Sequence, residues 1–163
     1  MEEKIIEKFG NKLRVRVCGI LIEKGKILLI RHKSLGKNGV LWAPPGGGML
    51  FGERAEETIK REFEEETGLM IKVERFLFTH EFLKPPLHAI ELFFEVSRLG
   101  GALKTGYDPE MKKNEQIITD AAYLDIDQVR EMDHDSIHNV LRKVTNLKDL
   151  LYLDGYVKFE EFT

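Results

Sequence analysis

Glu62, Glu65 and Glu66 place three carboxylates within one turn of any helix that runs through them, a short way after the glycine run Gly46-Gly47-Gly48. On an α-helix, residues three and four apart are neighbours, so Glu62 faces both other acids, and each like-charge pair costs roughly 0.2–0.5 kcal/mol. A divalent cation turns that repulsion into attraction. Hard oxygen donors of this kind suit Mg²⁺, which is commonly held by a few carboxylates together with the phosphate oxygens of a substrate. A solvated acidic helix face is the commoner explanation of a glutamate run taken alone, so the flanking residues decide between the two.

Those residues form a pattern. From Gly47 the chain runs to Glu53, then to Arg61, and on through Glu62, an apolar Phe63, Glu65, Glu66 and Gly68 to an apolar Leu69. Every fixed position of the Nudix signature is filled in this order. The preceding Trp42-Ala43-Pro44-Pro45-Gly46-Gly47 is similar to the usual entry into that motif. The sequence therefore resembles the Nudix hydrolase superfamily, whose members typically cleave a nucleoside diphosphate linked to another group, with Mg²⁺ or Mn²⁺ as cofactor. The resemblance implies that Glu62, Glu65 and Glu66 are metal ligands, joined by the backbone carbonyl of Gly46. It also gives Arg61 an orienting role with Glu53, although the spacing of Arg61 from Glu57 and Glu65 equally fits ordinary ion pairs along a helix.

The general base is left open by the residues. Glu62 lies in the motif, and Glu115 sits in a polar stretch before a short β-rich segment. Glu91 and Glu95 alternate with Phe93 onto one strand face. That face either lines a pocket, with Glu91 and Phe93 meeting substrate and Phe93 stacking on a base, or faces solvent. Among the basic residues ahead of the motif, Arg31 is the best candidate for phosphate because its planar fork matches phosphate oxygens, while His32, Lys33 and Lys37 read as a solvated basic loop. His80 and His88 bracket a proline pair and could reach the site. In the ADP-ribose-cleaving branch of the family a proline often follows the motif at about the distance of Pro85, which slightly favours an ADP-ribose-like or nucleotide-sugar substrate. A nucleoside triphosphate is the alternative substrate. A non-catalytic nucleotide-sensing domain is the alternative class, although such domains often lose motif carboxylates that this chain keeps. An isoprenoid diphosphate isomerase of the same fold would need a reactive cysteine, and Cys18 lies in an apolar run.

The elements that must position these groups follow from periodicity. The pattern predicts a helix from near Arg54 to Gly68, with Ala55, Ile59 and Phe63 as its buried stripe and glycine as a left-handed C-terminal cap. At 100° per residue, Glu62 and Glu66 fall beside that stripe and Glu65 further round. Leu13 to Ile22 and Ile27 to Arg31 read as two strands joined through Glu23-Lys24-Gly25-Lys26, and Val40 to Trp42 as a short segment among loops. Ile71 to Phe78 and Ile90 to Val96 read as strands separated by an irregular Pro85-Pro86 region. Ala122 to Leu124 reads as a short strand, Ser136 to Lys143 as a second helix, and Leu150 to Phe159 as a terminal strand. The expected fold class is α/β (α+β), a mixed sheet covered by helices, which the resemblance sharpens to the Nudix α/β/α sandwich.

With 163 residues, 42% hydrophobic and 33% charged, the chain has the size and balance of one soluble globular domain. A net charge of −3 gives no electrostatic reason for nucleic-acid or membrane binding. No apolar run approaches a membrane span and the N-terminus lacks the apolar core of a signal peptide, so a cytoplasmic location is expected. One cysteine allows no internal disulfide. The expected partner is a small nucleotide derivative, and a homodimer is in keeping with the resemblance.

Overall fold

A computed structural model describes residues 2–107 and 116–158. The apolar stripe at Ile59 and Phe63 organises one half of it. Helix α2 (Ala55–Thr67) buries both side chains completely and packs on strands β1 (Lys12–Ile20), β5 (Gly46–Gly48) and β6 (Leu69–Lys84). The helix starts where the Arg54 N–H donates to Glu57 Oε2 at 2.8 Å, and it ends at Gly68, in the left-handed region at φ 69°. Both ends fall where the sequence places them.

β1 alternates its burial because side chains of a strand point to opposite faces. Val17 and Leu21 join the core under α2, whereas Cys18 and Ile20 join a second core on the other side of the sheets. A five-stranded mixed sheet has the order β5-β1-β7-β6-β9, where β7 is Leu87–Gly101 and β9 is Gly155–Val157. In it β1 runs parallel to β7 and antiparallel to β5, and β9 runs parallel to β6. A four-stranded antiparallel sheet combines β2 (Ile22–Glu23), β3 (Lys26–Lys33), β4 (Val40–Ala43) and β8 (Ile118–Leu124). The second core is closed by α3 (Ile126–Arg130) and by short 3₁₀ turns at His134–Ser136, Asn139–Leu141 and Leu147–Tyr152. A further helix, α1 (Glu2–Phe9), precedes β1. Among the described residues no helix is long and apolar enough to cross a membrane.

Four expectations change. The run Leu13 to Ile22 breaks at Leu21, so the Lys24-Gly25 turn closes the short β2-β3 hairpin while β1 belongs to the other sheet. Pro85 and Pro86 do not interrupt regular structure; they are the turn of a long hairpin, with Lys84 paired to Leu87. Neither proline has an N–H to give a ladder, and at a turn none is needed. The segment Ser136 to Lys143 is 3₁₀ turns rather than a helix, because the Asp133 and His138 side chains accept backbone N–H groups and restart the chain locally. Phe93 has no exposed surface: it stacks on Phe78 with ring centroids 4.6 Å apart, so it supports the second core and offers no face to a base.

Truncating the residue that joins α2 to the sheets tests this packing. Phe63→Ala should lower stability by about 3–5 kcal/mol and depress the thermal midpoint by roughly 10 °C, read by calorimetry.

Candidate active site

Strand β5 is Gly46-Gly47-Gly48, a strand without side chains, and the acids of α2 come up against it. A Cβ on Gly47 would lie 2.3 Å from Glu62 Oε1 and 2.4 Å from its Cδ, so only glycine permits this approach. Glu66 Oε2 accepts the Gly46 N–H at 2.9 Å. Glu62 and Glu66 are both buried, at 8% and 5% exposure, and both line a cleft that the glycine strand floors. Glu65 is half-buried, further round the helix as its spacing requires, and Glu64 is exposed.

The Arg61 guanidinium offsets this buried negative charge. Its Nε and Nη2 donate to the two oxygens of Glu53 at 2.8 and 3.0 Å, a bidentate fork. Its Nη1 donates to Glu62 Oε1 at 2.7 Å and Glu65 Oε2 at 3.1 Å, and Nη2 also reaches the Gly48 carbonyl at 3.3 Å. One cation therefore joins three carboxylates and the glycine strand. Glu53 further accepts from Thr58 Oγ1 at 2.9 Å, and the Arg61 hydrogen bonds hold its carboxyl down to about 2. Burial pushes the Glu62 carboxyl up despite Arg61, since a charge taken from water is disfavoured.

The opposite wall was not legible from the motif. Arg14 and Arg16 project from β1 on one face, two residues apart, and line the cleft with His32 and Glu91. Arg16 Nη2 donates to the Gly46 carbonyl at 3.3 Å. Glu91, 4% exposed, lies 3.7 Å from Arg16 Nε and accepts from His138 Nε2 at 3.0 Å. The Val140 N–H points at His138 Nδ1 over 3.3 Å, which leaves Nε2 to carry the proton given to Glu91. Burial alone would raise the Glu91 carboxyl, but His138 and Arg16 outweigh it and bring it down to about 2. Glu91 is thus an ion-paired member of the wall.

Other expected site residues lie elsewhere. Arg31 donates to Thr119 Oγ1 at 2.9 Å and stands outside the cleft lining, while its neighbour His32 is buried there instead of solvated, and burial pushes its imidazole down to about 4. Glu95 accepts from Arg75 Nε at 2.7 Å, also away from the cleft. His88 lines the cleft and meets Glu81 at 2.7 Å; His80 is buried behind it against the Val157 carbonyl. Glu115 lies outside the described residues. The alternation Leu13-Arg14-Val15-Arg16 was a readable signal for the arginine face. His138 had none, because 3₁₀ turns carry no periodicity.

The chain belongs to the Nudix family: the NUDIX domain model matches residues 11–145. It is a pyrophosphohydrolase of the Nudix type, in a family that acts on small nucleotide derivatives. It is 35% identical over 127 residues to an ADP-ribose pyrophosphatase of Methanocaldococcus jannaschii, covering 76% of this chain and 69% of that protein. Similarity to the phosphatase NudJ of Escherichia coli K12 is 32% over 88 residues, half of this chain and 56% of that one. The fold is shared with an ADP-ribose pyrophosphatase from Streptococcus suis at a TM-score of 0.60 and 16% identity, over 88% of this chain and 98% of that one.

Arg61→Lys keeps a positive charge but cannot fork Glu53 while bridging Glu62 and Glu65. Replacing a network of charge-assisted bonds by a point charge should remove about 2 kcal/mol of stability, visible as a lowered denaturant midpoint, and should reduce turnover more than tenfold.

Proposed function

We propose that this enzyme hydrolyses the diphosphate linkage of a nucleoside diphosphate joined to a further group, with ADP-ribose-like compounds first among the substrates and Mg²⁺ or Mn²⁺ as cofactor, in one Nudix domain. The observation that carries the metal assignment is the pair of buried carboxylates, Glu62 and Glu66, facing one cleft beside a backbone that no side chain screens. Glu62, Glu65, Glu66 and the Gly46 carbonyl are all hard oxygen donors, the set that suits Mg²⁺. A metal held there would act as a Lewis acid on the phosphoryl oxygens and lower the pKa of its water.

The chain's own residues supply position. Arg61 fixes Glu62 and Glu65 relative to β5, and Glu53 holds Arg61, so loss of either misplaces the acids without removing them. The Gly46 N–H orients Glu66. Phe82 and Leu87, either side of the Pro85-Pro86 turn, give the outer cleft an apolar edge that fits a sugar or base beyond the phosphates. The 35% identity to an ADP-ribose pyrophosphatase supports placing ADP-ribose ahead of nucleoside triphosphates.

A panel of nucleotide sugars, ADP-ribose and nucleoside triphosphates, incubated with Mg²⁺ and resolved by mass, tests the reading. The expected products from ADP-ribose are AMP and ribose 5-phosphate, with Glu66→Gln at least a hundredfold slower. Pyrophosphate released from triphosphates in preference would transfer the assignment to a triphosphate pyrophosphohydrolase. Unchanged turnover by Glu66→Gln would remove the metal assignment.

A further inference from the structure

The glycine strand separates two walls of opposite charge. On one side stand the acids of α2; on the other stand Arg14 and Arg16 of β1, which pairs with β5 residue for residue, Arg16 opposite Gly48 and Cys18 opposite Gly46. Because β5 has no side chains, both guanidiniums lie directly on it. Arg16 Nη2 reaches the Gly46 carbonyl at 3.3 Å, and a Cβ on Gly48 would sit 3.3 Å from Arg14 Nη2. The Arg14 guanidinium lies over the Phe9 ring, Cζ 3.9 Å from the centroid, a cation–π contact at the edge of the cleft that both residues line.

Arg16 is held as a ligand-binding group is held. Its Nε is buried without a hydrogen-bond partner, 3.7 Å from Glu91 Oε1, too long for a hydrogen bond but close enough for an ion pair. Glu91 is fixed in turn by His138, and His138 by the Val140 N–H. A buried carboxylate needs a cation, and this one aims a guanidinium at the cleft while leaving most of its N–H donors uncommitted. An arginine fork matches the paired oxygens of a phosphoryl group.

We propose that Arg16 and Arg14 form an anion-binding wall that takes the diphosphate of the substrate, and that Glu91, backed by His138, is the positioning residue that orients Arg16. The proposal deepens the hydrolase reading of the same cleft and rests on it for the ligand's chemistry. It requires that the diphosphate bind through the arginines without assistance from a metal.

Binding of ADP and of inorganic pyrophosphate is therefore measured by calorimetry in the presence of a chelator, for wild type, Arg16→Ala, Arg16→Lys, Arg14→Ala and Glu91→Gln, alongside steady-state hydrolysis. The expected result is binding of both ligands by wild type, weakened at least tenfold by Arg16→Ala, less by Arg16→Lys, and severalfold by Arg14→Ala. Glu91→Gln should raise KM severalfold with kcat within about twofold, since it still accepts from His138 but no longer aims Arg16. Arg16→Lys guards against misfolding, because its folded state is checked by an unchanged thermal transition. Equal binding by wild type, Arg16→Ala and Arg14→Ala overturns the proposal, as does a wild type that binds neither ligand. Pyrophosphate binding that follows the arginines, in an enzyme that hydrolyses no nucleoside diphosphate derivative, would sustain the anion wall and overturn only the substrate reading.

Discussion

Everything at this site depends on burying carboxylates next to one another without leaving their charge unopposed. Glu62 and Glu66 are close to fully buried, and an ionised carboxylate taken out of water is stable only when paired or hydrogen-bonded. Arg61 meets that need for Glu62 and Glu65, and the Gly46 N–H meets it for one oxygen of Glu66. These partners hold the acids in place beside the cleft that Glu62 and Glu66 line.

The glycine strand makes this possible from the other side. It is thin enough for Glu62 to approach Gly47 and for two arginines of β1 to lie across it. Acidic and basic walls therefore face one cleft. Helix α2 fixes the first wall through Ile59 and Phe63; β1 fixes the second through Val17 and Cys18, which it buries in the two cores.

The helix, its C-terminal glycine cap and the depth of its glutamates were legible in sequence, because they are local and obey one period, whereas the partnership of Arg61 with Glu53 was implied by the family resemblance alone. Strand positions were largely legible too, but their pairing was not: whether β1 joins β3 or β7 is decided by long-range contacts that alternation does not encode. The same limit explains Arg31 and Phe93. Each sits on a strand at a position where period two offers two faces, and the choice between core, solvent and cleft is made by the neighbouring strand. Arg16, Glu91 and His138 come together from three distant segments, so their partnership is visible only once the chain is folded.

The balance of charge at α2 is most directly tested by titrating Mn²⁺ into the protein and following the free ion by electron paramagnetic resonance, in wild type and in a Glu62→Gln, Glu66→Gln double variant. Wild type is expected to bind Mn²⁺ and to gain thermal stability, as binding to the native state requires, and the double variant to do neither. Equal Mn²⁺ affinity in the two proteins would contradict this.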